Sequence, residues 1–292
     1  MPLVSAGYTD RSADAIGVFD SGVGGLSVLR ALRAELPQEQ FIYVADSGHA
    51  PYGERDDAHV ITRSHAIARY LTEQHHIKAL VVACNTATAA AIKLLRQDFP
   101  ELPIVGIEPA LKPAALSSKT KVVGVMATRG TLNSDKFRAL LTSLHGQATF
   151  ILQPCDGLAD AIERADATKT LASCAYSTGA MGQFGHADGA MDTLVLGCTH
   201  YPFAIGTLRS LVGADVAFLE GGAPVARQTR RLLDERGWLV QAADAGFVAP
   251  TIFGTTGDGN NLRMAVERWL GFKVDVQNLR IHSTCEPTGP MP

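Results

Sequence analysis

The 292-residue sequence has no apolar run of 18 residues, no Cys-x-x-Cys pair and no marked excess of either charge. The missing run excludes a membrane-spanning helix, which needs about 20 apolar residues. Lys and Arg number 26 against 29 Asp and Glu, a net charge of −3 without the basic excess of a nucleic-acid footprint. The opening MPLVSAGYTDRSAD lacks the basic-then-apolar layout of a signal peptide, so the cytoplasm is the expected compartment. Five cysteines, at 84, 155, 174, 198 and 285, are odd in number and are expected to be thiols rather than bridges. What the chain does have is 46% hydrophobic residues against 19% charged, with a mean hydropathy of +0.08. That balance disfavours disorder, and this length buries a real core in one or two domains.

Short β-branched runs alternate with helical stretches almost throughout. AIGVFD (15–20), FIYVAD (41–46), ALVVAC (79–84), PIVGIE (103–108), KVVGVMAT (121–128), ATFILQ (148–153) and TLVLGC (193–198) read as strands. Each is short, apolar on both faces and bounded by turn residues, the pattern of a parallel sheet covered by helices. Helices are expected near 27–36 and over 57–74. The class is α/β, doubly wound. ALVVACNTATAAA (79–91) and TLVLGCTHYPFAI (193–205) resemble each other, and both run strand, small residue, Cys, then a helix. An internal duplication explains this and predicts two similar halves. Ligands of open α/β sheets sit beyond the carboxyl ends of the strands, so Cys84 and Cys198 would face each other across one interdomain cleft.

Four segments carry candidate chemistry. Asp20-Ser21-Gly22-Val23-Gly24-Gly25 follows a strand and opens a helix. It fits a plain tight turn, or helix-start N–H groups that bind an anion such as a carboxylate. The dinucleotide pattern is incomplete because Ser27 stands at its third glycine, although Asp46 ends the next strand where a ribose-binding acid would sit. Asp46 to Arg55, with Pro51, Tyr52 and Gly53, is either an ordinary loop or a functional one at the same edge. Cys84-Asn85-Thr86 and Cys198-Thr199-His200 each place a thiol at a helix start, which favours thiolate, and His200 could exchange a proton with Cys198. A buried, inert thiol is the bland alternative. Zinc needs four ligands in closed spacing, and Cys-x-His with a distant Cys does not supply them. Cys155, Cys174 and Cys285 lack such settings and read as structural.

Two opposed acid–base groups suit a proton removed from one face of a carbon and returned on the other. A racemase or epimerase without metal, nucleotide or pyridoxal phosphate follows if both thiols act. A cysteine hydrolase or transferase with one nucleophilic thiol stays open beside it.

IGVFDSGVGGLSVLRAL, ADSGHAPYGER, ALVVACNTATAAAI, VGVMATRGTL, LVLGCTHYPF and TTGD, spanning about 16–258, together resemble the aspartate/glutamate racemase family. The resemblance implies cofactor-independent interconversion of L- and D-glutamate by two cysteines, supplying D-glutamate for peptidoglycan synthesis. It implies a homodimer, with glutamate as the small-molecule partner and neither nucleic acid nor membrane involved. It also implies a discontinuous first domain, 14–108 plus 224–270, a second over 109–223, and tails at 1–13 and 271–292. By the same resemblance Cys84 acts on D-glutamate with help from Asp20, and Cys198 on L-glutamate with help from His200. Ser21, Pro51, Tyr52, Gly53, Asn85, Thr86 and Thr199, together with Asp20 and His200, match substrate-holding positions. Glu163 resembles a family glutamate near the second cysteine, although the usual Cys-Pro before it reads Cys155-Asp156. Leu219-Glu220-Gly221-Gly222 replaces a common Asp and reads as a hinge or return segment. A relative acting on aspartate or a hydantoin, or a binding protein without turnover, are the alternatives.

Overall fold

The structure is a computed structural model that describes residues 10–241 and 249–283. Among these residues ten strands form two sheets, every pairing parallel. They are β1 (Ile16–Asp20), β2 (Phe41–Ala45), β3 (Ala79–Val82), β4 (Ile104–Gly106), β5 (Val122–Ala127), β6 (Thr149–Pro154), β7 (Thr193–Gly197), β8 (Ala217–Leu219), β9 (Thr251–Thr255) and β10 (Val276–Asn278). The first sheet has the order β10-β9-β2-β1-β3-β4 and the second β6-β5-β7-β8. Within the first, the run β2-β1-β3-β4 has the same chain order as the whole of the second. This repeated order is the duplication expected from the two Cys-bearing segments, and it makes the ends of β3 and β7 equivalent.

Every residue of β1, β2, β3 and β7 is buried, which is why these strands read as continuous apolar runs. The edge strand β6 is only partly covered. Helices follow on both faces. Leu26, Leu29 and Leu32 of the helix Leu26–Glu35 pack in one core with Val225, Ala226 and Leu233 of the helix Gly222–Asp234. The chain thus returns from the second sheet to the first just after Gly221. A Cβ on Gly221 would collide with Ile107, so this crossing leaves no room for a side chain.

Three strands, β8, β9 and β10, were not foreseen. β10, Val-Gln-Asn, carries no apolar run, whereas β8 lies in the apolar run 216–219, which was not read as a strand. β10 also corrects the expected tail, because Val276 to Asn278 pair with Phe253 to Thr255 of β9.

Candidate active site

The site is assembled from loops at the carboxyl ends of strands in both sheets. β1 ends in Asp20, which is fully buried. The Gly22 N–H donates to its Oδ1 at 2.8 Å and the Thr199 hydroxyl, from the loop after β7, donates to its Oδ2 at 2.9 Å. The glycines that follow make room for the other half of the molecule. A Cβ on Gly22 would collide with the Glu163 carboxylate, and one on Gly24 with the His200 ring. An anion is bound in the turn ahead of the helix Leu26–Glu35, and it is the protein's own: Val23 N–H donates to Glu163 Oε2 at 2.8 Å, while Leu26 and Ser27 N–H bond back to the Val23 and Gly24 carbonyls. With Gly22 and Val23 already committed to carboxylates, the loop does not offer those amides to a phosphate, and the dinucleotide reading falls.

The loop after β2 is fastened by Asp46, also fully buried. Arg63 donates to both of its oxygens at 2.9 and 2.8 Å, Tyr52 Oη donates at 2.6 Å and Thr256 Oγ1 at 2.8 Å. Asp46 therefore has a structural ion pair where a ribose-binding role was conceivable. The same bonds hold Pro51, Tyr52 and Gly53 against the second half, where a Cβ on Gly53 would meet Thr128. The Thr86 and Thr128 hydroxyls lie 3.1 Å apart across this contact.

Cys84 caps the helix Asn85–Asp98, its sulfur accepting from Ala87 N–H at 3.4 Å, and its thiol donates to Ser21 Oγ at 3.8 Å. The helix start was expected to favour thiolate. Burial outweighs it, and with the nearby Asp20 charge pushes the Cys84 thiol up to about 12. Cys198 follows β7 directly and leads into a 3₁₀ turn, Tyr201–Ala204, which runs on into the α-helix Ile205–Val212. Its sulfur lies 3.8 Å from His200 Nδ1, and His200 Nε2 lies 2.7 Å from Glu163 Oε2. Burial would lower the His200 pKa, but its bonds to Cys198 and Glu163 prevail and raise it well above its ordinary value. Burial would likewise raise Glu163, yet donors from His200, Val23 N–H and Ser47 hold its carboxyl below the usual range. The two shifts agree: carboxylate and imidazolium form a partly buried ion pair beside one thiol.

Cys84, from the first half, and Cys198, from the second, both border a cavity of about 270 Å³. Ser21, Pro51, Tyr52, Gly53, Cys84, Asn85, Thr86, Glu163, Cys198, Thr199 and His200 border it, and Asp20 lies buried behind them. Asn85 Oδ1 is buried without a hydrogen-bond partner among the described residues. Ser47, Thr128, Asp160, Arg164, Asp258 and Asn261 also border the cavity. Sequence reasoning did not name them as site residues, although Ser47 lies within the candidate loop Asp46 to Arg55, Thr128 within VGVMATRGTL and Asp258 within TTGD. Cys155 and Cys174 are buried in the apolar core of the second sheet, and Cys285 lies outside the described residues. No cluster of three metal-holding side chains occurs among the described residues.

Asp20 gives a prediction for stability. Burial raises its carboxyl to about 6, against bonds from Gly22 and Thr199 and the His200 charge that lower it. A pKa raised on folding means that the native state binds more protons than the unfolded chain between about pH 4 and 6. Stability is therefore lost as pH rises through about 6, by roughly 3 kcal/mol at about 1.4 kcal/mol per unit. Asp20→Asn removes the ionisation. Its Tm relative to wild type is expected to be higher at pH 8 than at pH 4.5, and a difference that is flat or reversed across that range would contradict this.

With this geometry in view, the chain was compared with known proteins. The Asp/Glu/Hydantoin racemase family matches residues 16–229. A glutamate racemase of Ectopseudomonas mendocina is 47% identical over 272 residues, which cover 91% of this chain and 98% of the relative. A glutamate racemase isoform of Bacillus anthracis has a crystal structure that superposes with a TM-score of 0.80 at 30% identity, covering 92% of this chain and 98% of that one. The Escherichia coli glutamate racemase, solved with L-glutamate and the activator UDP-MurNAc-Ala, gives 0.78 at 28% identity over 91% and 97%. Two parallel-sheet halves with the same duplicated order, a cleft between them and these matches over most of the chain place the protein in the Asp/Glu/Hydantoin racemase family of isomerases.

Proposed function

We propose that the protein racemises glutamate without a cofactor, and that the observation carrying this reading is the pair of thiols, one from each half, bordering one cavity. The α-hydrogen of an amino acid is weakly acidic, so donors around the substrate carboxylate must stabilise the carbanion-like transition state. Ser21 and Thr86 supply hydroxyls at the cavity wall, while the Thr199 hydroxyl is already donated to Asp20. The unpartnered Asn85 Oδ1 suits an ammonium N–H. In the L-to-D direction Cys198 takes the Cα proton and the electron pair stays on carbon. Cys84 then delivers its own proton to the opposite face, so one proton leaves and one enters. The reverse direction exchanges the roles. Burial keeps Cys84 a thiol at rest, ready to deliver a proton. Asp20 behind it would assist when Cys84 must act as base, and the His200–Glu163 pair would serve Cys198.

The relatives' names support glutamate as the substrate, as does the L-glutamate bound to the Escherichia coli protein. The D-glutamate formed would supply peptidoglycan synthesis in the cytoplasm, and we place the enzyme there as a homodimer. The chain would divide into 14–108 with 224–270 and 109–223, one sheet to each, with Val276–Asn278 joined to the first. Chiral chromatography after incubation with L-glutamate, L-aspartate or buffer tests the reading. L-Glutamate is expected to approach equal amounts of both enantiomers, with chelator present or absent. Conversion of aspartate alone, or activity lost to chelator and restored by zinc, would overturn it.

A further inference from the structure

Glu163 belongs to the second half of the molecule, yet two of its three donors come from the first. Its Oε2 accepts from Val23 N–H and its Oε1 from the Ser47 hydroxyl, at 2.8 and 3.0 Å. His200 Nε2 supplies the third contact at 2.7 Å and reaches Cys198 through its other nitrogen. Ser47 thus begins a continuous path Ser47–Glu163–His200–Cys198 that crosses the cleft. Ser47 is itself held by the end of β9. A Cβ on Gly257 would meet the Ser47 side chain, and Gly48 N–H donates to Thr256 Oγ1 at 3.2 Å. A carboxylate with two oxygens and one rotatable arm is oriented only when both oxygens are engaged. Ser47 is the partner that engages Oε1.

We propose that Ser47 is a positioning residue for one thiol only: by fixing Glu163 it aims His200 at Cys198 and leaves the Cys84 side untouched. The inference rests on the two-thiol reading above and assigns Ser47 to the half-reaction at Cys198. A racemase interconverts enantiomers of equal energy, so kcat/KM must fall equally in both directions whichever thiol is impaired. The two half-reactions separate through isotope effects. Deuterium at Cα of L-glutamate is transferred at Cys198, and deuterium at Cα of D-glutamate at Cys84.

The test measures kcat/KM and the primary isotope effect in each direction for wild type, Ser47→Ala and Ser47→Thr. Ser47→Ala is expected to lose about tenfold in kcat/KM both ways, less than the hundred- to ten-thousandfold that a positioned acid–base group itself contributes. Its isotope effect should rise with deuterated L-glutamate and fall with deuterated D-glutamate. Ser47→Thr keeps the hydroxyl and should restore both. Loss of activity with both isotope effects unchanged would mean a merely structural role and overturn the inference, as would unchanged activity or the opposite asymmetry. A wild-type protein that does not racemise glutamate would instead refute the reading on which the inference rests.

Discussion

Cys84→Ala and Cys198→Ala are each expected to lower racemisation by roughly a hundred- to ten-thousandfold, the contribution of a positioned acid–base group. Each variant keeps one working face. In heavy water Cys84→Ala should still exchange the α-hydrogen of L-glutamate, and Cys198→Ala that of D-glutamate, each without forming the other enantiomer. Wild type should place deuterium at Cα of the product while early unreacted substrate keeps its hydrogen. If one thiol served both faces, the other could be removed with little loss, and substrate would exchange as fast as product. Mass spectrometry of separated enantiomers reads both outcomes. The size of the effect follows from the geometry, because the acids behind the thiols, Asp20 and Glu163, are held in bonds to other groups and neither stands free to replace a missing sulfur.

The second large effect is on stability. Asp46 is fully buried and Arg63 is 3% exposed, joined by two hydrogen bonds. Removing one member of such a pair strands a charge in the interior and costs about 3–5 kcal/mol, against a total stability of roughly 5–15. Asp46→Ala should therefore lower Tm by about 10 °C or more in a chain of this size. It also removes the acceptor for Tyr52 and Thr256, so the Pro51–Gly53 loop loses its anchor and KM for glutamate should rise. Adding Arg63→Met to the variant should recover part of the loss, because no unpaired charge then remains. Calorimetry of the two variants decides the matter: a double variant no more stable than Asp46→Ala would show that the charge was not the cause.

The α/β class, seven of the ten strands and the two cysteine-bearing segments were legible in the linear sequence. Parallel strands buried on both faces, such as Ala79–Val82 and Thr193–Gly197, read as unbroken apolar runs bounded by turn residues. Their repetition also announced two similar halves, while the strand order came from the structure. Val276–Asn278 escaped because three half-exposed residues at a sheet edge carry no such run.

The site divided along the same line. Residues beside a motif, such as Asn85 and Thr199, could be named from it. Ser47 and Thr128 lie inside quoted stretches, ADSGHAPYGER and VGVMATRGTL, but nothing there told them from their neighbours, and Asn261 lies outside every stretch; all three border the cavity because loops from distant strands converge there. The glycines of the first loop announced a turn. That they clear space for Glu163 and His200, about 140 and 176 positions away by number, is a fact of packing between halves. Cys84 shows the limit most plainly. Its place at a helix start is local, and it argued for thiolate. Desolvation depends on every atom folded around the sulfur, and with the neighbouring Asp20 charge it reverses that argument. Propensity and motif act between near neighbours along the chain, whereas burial and charge act through space, and space is assigned only once the two halves have met.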